Sequence, residues 1–285
     1  MKVYLRLVLG ILLSSSLVFA KKTNVDFLNH YIKLSREGDV SYLLSYPRSG
    51  NTLVRYIFEF VTGRPTMQLS SHHDLINIFL NYSLKELEVD LYAKPLWKVH
   101  RNLAIQAQGF YKFDRTILVL LVRNYKEIAL RYSQFRDLPL FDESGQLIED
   151  NLKLAFSIWD KDDERELYFQ NIAYFDTISQ DKRLLIYYED LMQYPEHSVE
   201  QITDFFGGSR ERMQKLLADY DYYKDRIHTF YDKEETALSN VGDVRFYSHR
   251  FTSAQRRSID NWVKEHHADL WPYLARYEEQ GEDIN

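Results

Sequence analysis

An α/β fold, with a central, mainly parallel sheet flanked by helices, is predicted by three features of the sequence. Short apolar runs alternate with stretches of helical periodicity. The clearest run, Thr116 to Val122 (TILVLLV), is continuously apolar after its first residue, as a strand covered on both faces requires. The earliest, Ser41 to Tyr46 (SYLLSY), leads through Pro47-Arg48-Ser49-Gly50 directly into a segment with Leu53, Val54, Ile57, Phe58 and Val61 on one helical face.

The remaining elements follow in order. Gly63-Arg64-Pro65 ends the first helix, since glycine accepts the terminal left-handed turn and proline cannot continue a helix. Lys94 to His100 (KPLWKVH) reads as a second strand, and a helix from about Tyr125 to Phe135 follows the Thr116–Val122 strand. Asn151 to Ala173 is a longer, charge-rich helical stretch, and Asp160 to Glu166 within it reads as a solvated face. Arg183 to Tyr188 (RLLIYY) is a buried strand; Pro195 to Phe206 is a helix closed by Gly207-Gly208. Ser253 to Tyr277 is helical, with Trp262 and Trp271 on its apolar side. No repeat or Gly/Pro/Ser-rich linker divides the chain, so residues 21–285 are expected to form one domain.

Composition excludes several chemistries. The chain has no cysteine, which removes disulfides, thiolate metal sites and a cysteine nucleophile. Its formal charge of −6 disfavours a nucleic-acid partner while leaving room for a local basic cleft. At the N-terminus, Lys2 and Arg6 precede an apolar run from Leu7 to Ala20, shorter than the ~20 residues that span a bilayer as a helix. Residues 1–20 are expected to be an export signal, with a membrane anchor or an apolar N-terminal helix as alternatives. That places the protein in the secretory pathway or outside the cytosol, with membrane association through this segment if it is retained.

A strand, a short loop containing Ser-Gly, and a helix form a geometry suited to phosphate. Amides at the helix start converge on an anion, and the helix dipole adds to the attraction. Gly50 permits close backbone approach, Ser49 and Thr52 supply hydroxyls, and Arg48 supplies fixed charge. An ordinary polar turn before a helix would have the same outline, and the nucleotide loop GxxxxGK[ST] is absent. Tyr46-Pro47-Arg48-Ser49-Gly50-Asn51-Thr52 resembles the 5'-phosphosulfate loop of the sulfotransferases, commonly YPKSGTTW, with Leu53 in place of the tryptophan that stacks on adenine.

Three further segments carry the resemblance in the same order. Arg123-Asn124-Tyr125-Lys126-Glu127-Ile128-Ala129-Leu130 is similar to the 3'-phosphate segment RNPKDVAVS; the resemblance implies that Arg123, with Arg131 or Ser133, grips that phosphate. Lys98-Val99-His100 resembles the family's Lys-Thr-His at a strand end, which implies His100 as catalytic base. A lone histidine is more often structural; here Lys98 stands two residues earlier, on the same face of a strand. Leu185 to Leu191 (LIYYEDL), followed by Pro195, resembles LFYEDM…P and implies an adenine contact for Tyr188. Looser likenesses lie at His228-Thr229-Phe230 and across Gly242-Asp243 to Phe251-Thr252, where Arg245 or Arg250 stands in for a missing Arg-Lys-Gly.

The resemblance implies a P-loop NTPase-like sulfotransferase fold. It implies 3'-phosphoadenosine 5'-phosphosulfate (PAPS) as co-substrate, no metal, and transfer to the hydroxyl or amine of a sugar, phenol, lipid or peptide. Arg48, Lys98 and the amides of Ser49, Gly50, Asn51 and Thr52 would offset charge on the leaving phosphate. Two rivals remain beside it: a non-catalytic nucleotide-binding module of the same fold, motivated by Leu53 and Arg131, and a kinase, for which Asp190 is the nearest metal-binding carboxylate. His72-His73-Asp74 and His266-His267 lack a known ligand spacing. Acceptor pockets are expected from the loops around 66–92, 136–150 and 220–250; Tyr220, Tyr222 and Tyr223 either line such a pocket or pack in the core.

Overall fold

The computed structural model describes residues 38–47, 49–68, 89–90, 92–100, 115–128, 148–151, 163–225 and 252–279, with isolated positions elsewhere. Five parallel strands form one sheet: β1 (Val40–Ser45), β2 (Thr66–Gln68), β3 (Leu96–Val99), β4 (Thr116–Val122) and β5 (Arg183–Tyr187), in the spatial order β2-β3-β1-β4-β5. The described helices of main interest are α1 (Asn51–Thr62), α2 (Asp163–Asp176), α3 (Tyr188–Gln193), α4 (Pro195–Phe206), α5 (Arg210–Ala218) and α6 (Ser253–His266). The predicted fold class is therefore the observed one.

Both faces of the sheet are covered, which explains the unbroken apolarity of β1 and β4. Every residue of β1 is buried, and every residue of β4 except Ile117. On one face Leu43, Leu96, Val119, Leu121 and Ile186 pack against α1, α4 and α5. On the other, Tyr42, Leu44, Trp97 and Leu118 pack against α2, α6 and the C-terminal turns. Each aliphatic side chain buried this way contributes about 1.5–3 kcal/mol.

The helix after β1 keeps the predicted apolar face, since Leu53, Val54, Ile57, Phe58 and Val61 are all buried. It also buries Arg55 and Glu59, which periodicity did not suggest. Those two hold the edge strand: Arg55 Nε donates to Thr66 Oγ1 at 3.0 Å, and the Thr66 N–H donates to Glu59 Oε1 at 3.0 Å. Gly63 and Gly207 end α1 and α4 in the left-handed region, as the sequence indicated. The stretch read as one helix from Ser253 to Tyr277 is broken: α6 ends at His266, and 3-10 turns and a short helix complete it. A Thr252–Gln255 capping box starts α6.

Among the described residues no helix is long and apolar enough to cross a membrane. The apolar segment 1–20 lies outside them, as do His72-His73-Asp74, His228 to Phe230, and Gly242 to Phe251.

Candidate active site

Parallel strands bring their carboxyl ends to one edge, and a crevice forms there where connections leave a central strand in opposite directions. Here β1 is that strand, with β3 on one side and β4 and β5 on the other. The register pairs Leu44 with Val99, Ser45 with Leu121, and Val122 with Tyr187. Continued past the strand ends, it sets His100 beside Ser45, and Arg123 beside Tyr188. The four segments singled out in the sequence thus leave the sheet side by side, from β3, β1, β4 and β5.

The loop after β1 is tightly turned. The Ser49 N–H donates to the Tyr46 carbonyl at 3.2 Å, and Gly50, at φ 90°, caps α1 and receives the Leu53 N–H at 3.1 Å. No side chain caps this helix start, and its first turn holds no acidic residue. An α-helix leaves its first amides without intrahelical partners, and the positive dipole end favours an anion beside them. Ser49 is fully buried, and its Oγ has no hydrogen-bond partner among the described residues. An orphaned buried hydroxyl beside an uncapped helix start fits a phosphate-bearing ligand. Gly50 meets two constraints at once: its φ suits glycine, and a Cβ there would lie 2.3 Å from Cδ2 of Tyr188.

Arg123, immediately after β4, is buried, and its Cζ lies 4.0 Å from the centroid of the Tyr188 ring. Tyr188 therefore touches Gly50 with its edge and carries Arg123 on its face, linking the phosphate loop to the arginine. Its neighbour Glu189 accepts the Asn124 N–H at 3.0 Å and the Tyr277 hydroxyl at 2.7 Å. Burial holds the Glu189 carboxyl above the ordinary carboxylate range, against the opposing pull of the Asn124 hydrogen bond and the Arg123 charge. Burial likewise raises the phenol of Tyr168, which donates to the Arg123 carbonyl at 2.8 Å.

His100 stands just past β3, which ends one residue earlier than the sequence suggested. Its Nδ1 lies 2.7 Å from the carbonyl of Ser45. A carbonyl only accepts, so Nδ1 carries the proton of the neutral ring and Nε2 holds the basic lone pair. Asn171 of α2 donates its amide to the His100 carbonyl at 3.0 Å, tying the backbone down as well. Lys98 is buried in β3 on the α1 side of the sheet, opposite Leu43 of β1 and Gln68 of β2.

The structure gathers Ser49, Gly50, Asn51, Thr52, Lys98, His100, Arg123 and Tyr188 at or beside this edge. Arg48, Arg131 and Ser133 lie outside the described residues. Asp190, the carboxylate a kinase would need, accepts from both terminal guanidinium nitrogens of Arg276, at 2.9 and 2.5 Å. His266 is stacked on Trp262, and His267 is stacked on Phe169. No metal-ligand cluster occurs among the described residues. Tyr220 and Tyr223 pack in or against the core, and Tyr222 is exposed. Ser45, Asn171, Tyr168, Glu189 and Tyr277 were not singled out from sequence. Only Glu189 offered a signal, an acid just past β5; that strand, expected to be buried through Tyr188, ends at Tyr187 and lies at the sheet edge with only Ile186 buried.

These features define an α/β domain with a parallel five-stranded sheet and a glycine turn leading from its central strand into a helix. A model of the sulfotransferase domain matches residues 39–271, and the chain belongs to that family. Sulfotransferase 1B1 of Canis lupus familiaris is 24% identical over 258 residues, covering 79% of this chain and 82% of the dog protein. Among solved structures, mouse SULT7A1 complexed with PAP superposes with a TM-score of 0.57 at 18% identity, covering 84% of this chain and 88% of that one. Retinol dehydratase in complex with androsterone and inactive cofactor PAP gives 0.52 at 15% identity, covering 79% of each chain. At these identities the two structures speak for the fold.

Proposed function

We propose that this chain transfers a sulfuryl group from PAPS to the hydroxyl or amine of a small acceptor, with His100 as general base. The observation that carries this reading is the adjacency of four strand ends presenting His100, the uncapped loop at 49–52, Arg123 and Tyr188. The orphaned Ser49 hydroxyl and the acid-free start of α1 fit the 5'-phosphosulfate, and Arg123 fits the 3'-phosphate. Family membership supports sulfuryl transfer, and PAP, adenosine 3',5'-bisphosphate, is what remains of PAPS once the sulfuryl group has left.

In this reading the acceptor oxygen or nitrogen attacks sulfur, a bond from that atom to sulfur forms, and the bond from sulfur to the bridging phosphate oxygen breaks. His100 Nε2 takes the acceptor's proton, a contribution of about 10²–10⁴-fold. The leaving phosphate departs with the electron pair, and the loop amides, Arg48 and Lys98 offset its charge. The residues present supply positioning and electrostatics, the main needs of a loose transition state of this type. The apolar stretch at 7–20 supports an exported or membrane-anchored enzyme, which N-terminal sequencing of the mature protein tests.

One departure favours a second reading, nucleotide binding without turnover. Leu53 is buried in the core of α1, so this position offers no aromatic platform to adenine. Labelled sulfuryl transfer from PAPS to pooled sugars, phenols, lipids and peptides separates the two. Label in an acceptor, lost in His100→Ala, is the expected result; tight bisphosphate binding with no labelled product favours the second reading.

A further inference from the structure

Residues 123–126 are gripped from four separate elements. Tyr168 of α2 holds the Arg123 carbonyl, and Glu189 of α3 holds the Asn124 N–H. Asp260 of α6 accepts the Tyr125 hydroxyl and, at 2.5 Å, the Lys126 ammonium. Tyr277 joins two of these grips: its hydroxyl donates to Glu189 Oε2 at 2.7 Å, and its carbonyl accepts from Lys126 Nζ at 2.5 Å. It lies beyond residue 271, where the family match ends.

We propose that Tyr277 is a positioning residue for the Arg123 anion site, acting by holding the Glu189 carboxylate away from the guanidinium. This rests on the reading that Arg123 recognises the 3'-phosphate. Glu189 sits beside Arg123 in the fold and lowers its own charge cost through that arginine. A carboxylate there competes with any incoming anion. Both of its oxygens are committed as acceptors, one to the Asn124 N–H and one to the Tyr277 hydroxyl. Burial keeps that phenol above its ordinary range, so it remains a donor. Loss of the hydroxyl frees one oxygen to turn onto Arg123 and cancel the charge the anion needs.

The ring itself packs edge-on against Tyr125 and Tyr187, with centroids 6.1 and 6.2 Å away, so phenylalanine preserves the packing while removing the donor. The readout is the preference for adenosine 3',5'-bisphosphate over adenosine 5'-monophosphate, measured by calorimetry on the full chain. Tyr277→Phe should shrink that preference about five- to tenfold, with affinity for the monophosphate unchanged. Glu189→Gln, which removes the competing charge at nearly the same size, should enlarge it instead, and serves if the first variant does not fold. An unchanged preference, or equal weakening of both ligands, overturns the proposal. Arg123→Ala separates the two levels: equal loss of both ligands there sinks the reading of Arg123 itself. Abolished preference in Arg123→Ala, with no change in the other two variants, sinks only the role of Tyr277.

Discussion

The guanidinium carbon of Arg123 lies 4.0 Å from the centroid of the Tyr188 ring, and the edge of that ring rests on Gly50. One tyrosine just past the end of β5 thus spaces the loop after β1 from the arginine after β4. A stacked arginine keeps its donors in one plane, pre-oriented for phosphate oxygens. The resemblance to known sequences implies an adenine contact for Tyr188; the structure adds a contact with the arginine.

Replacing Tyr188 should therefore divide by chemistry. Tyr188→Phe keeps the ring face and should alter bisphosphate affinity by less than about twofold. Tyr188→Leu removes a cation–π contact worth about 0.5–2 kcal/mol and should weaken affinity by about 2- to 30-fold. Equal effects of the two variants, read by calorimetry, would show that the ring does not support Arg123.

Gly50→Ala should damage both fold and binding. The new Cβ would meet the Tyr188 ring at 2.3 Å while holding a φ of 90° that alanine disfavours. A cost of about 1–3 kcal/mol in denaturant unfolding is expected, with bisphosphate binding weakened further. A variant as stable and as tightly binding as the parent would mean the loop adopts another conformation.

For His100, the tautomer set by Ser45 makes the prediction specific. His100→Ala should lower turnover by about 10²–10⁴-fold with bisphosphate affinity nearly intact. Single-turnover transfer and calorimetry on the same preparation check both halves; unchanged turnover removes the histidine from the chemistry.

Lys126 and Asp260 form a nearly fully buried ion pair, at 2.5 Å. Burial lowers the Lys126 pKa, and the Asp260 carboxylate opposes that shift. Lys126→Met leaves the carboxylate uncompensated, and a loss of about 3–5 kcal/mol in unfolding free energy is expected. A loss below about 1 kcal/mol would mean water or another cation reaches Asp260.

The Glu189 carboxyl, raised by burial, binds its proton more tightly in the folded chain than in the unfolded one. Its contribution to stability is therefore complete below the ordinary carboxylate range, and is lost as pH rises through that range to the folded value. Chemical denaturation from pH 4 to 7 should show this falling component, and Glu189→Gln should remove it. An unaltered pH profile in the variant would mean Glu189 stays ionised throughout.

Much of this site was legible because its parts are local. Thr116–Val122 and Pro195–Phe206 appear with their expected bounds, and Tyr46, Pro47, Ser49 and Gly50 lead from β1 to the start of α1 at Asn51. What escaped was non-local or weakly patterned. The edge strand Thr66–Gln68 has one apolar residue in three, and α5 buries only Met213 and Leu216, too little for either to stand out as a periodic signal. Buried charges such as Arg55, Glu59 and Lys126 resemble solvated ones until their partners are placed. The tie between Glu189 and Tyr277 spans 88 residues, and no spacing rule reaches that far.

The most direct test is a structure of the chain with adenosine 3',5'-bisphosphate. The 5'-phosphate should accept from the amides at 50–52, and the 3'-phosphate should lie within hydrogen-bonding reach of the Arg123 guanidinium, still stacked on Tyr188. A nucleotide bound with its 3'-phosphate away from Arg123, or outside the edge shared by β1 and β4, would contradict the account.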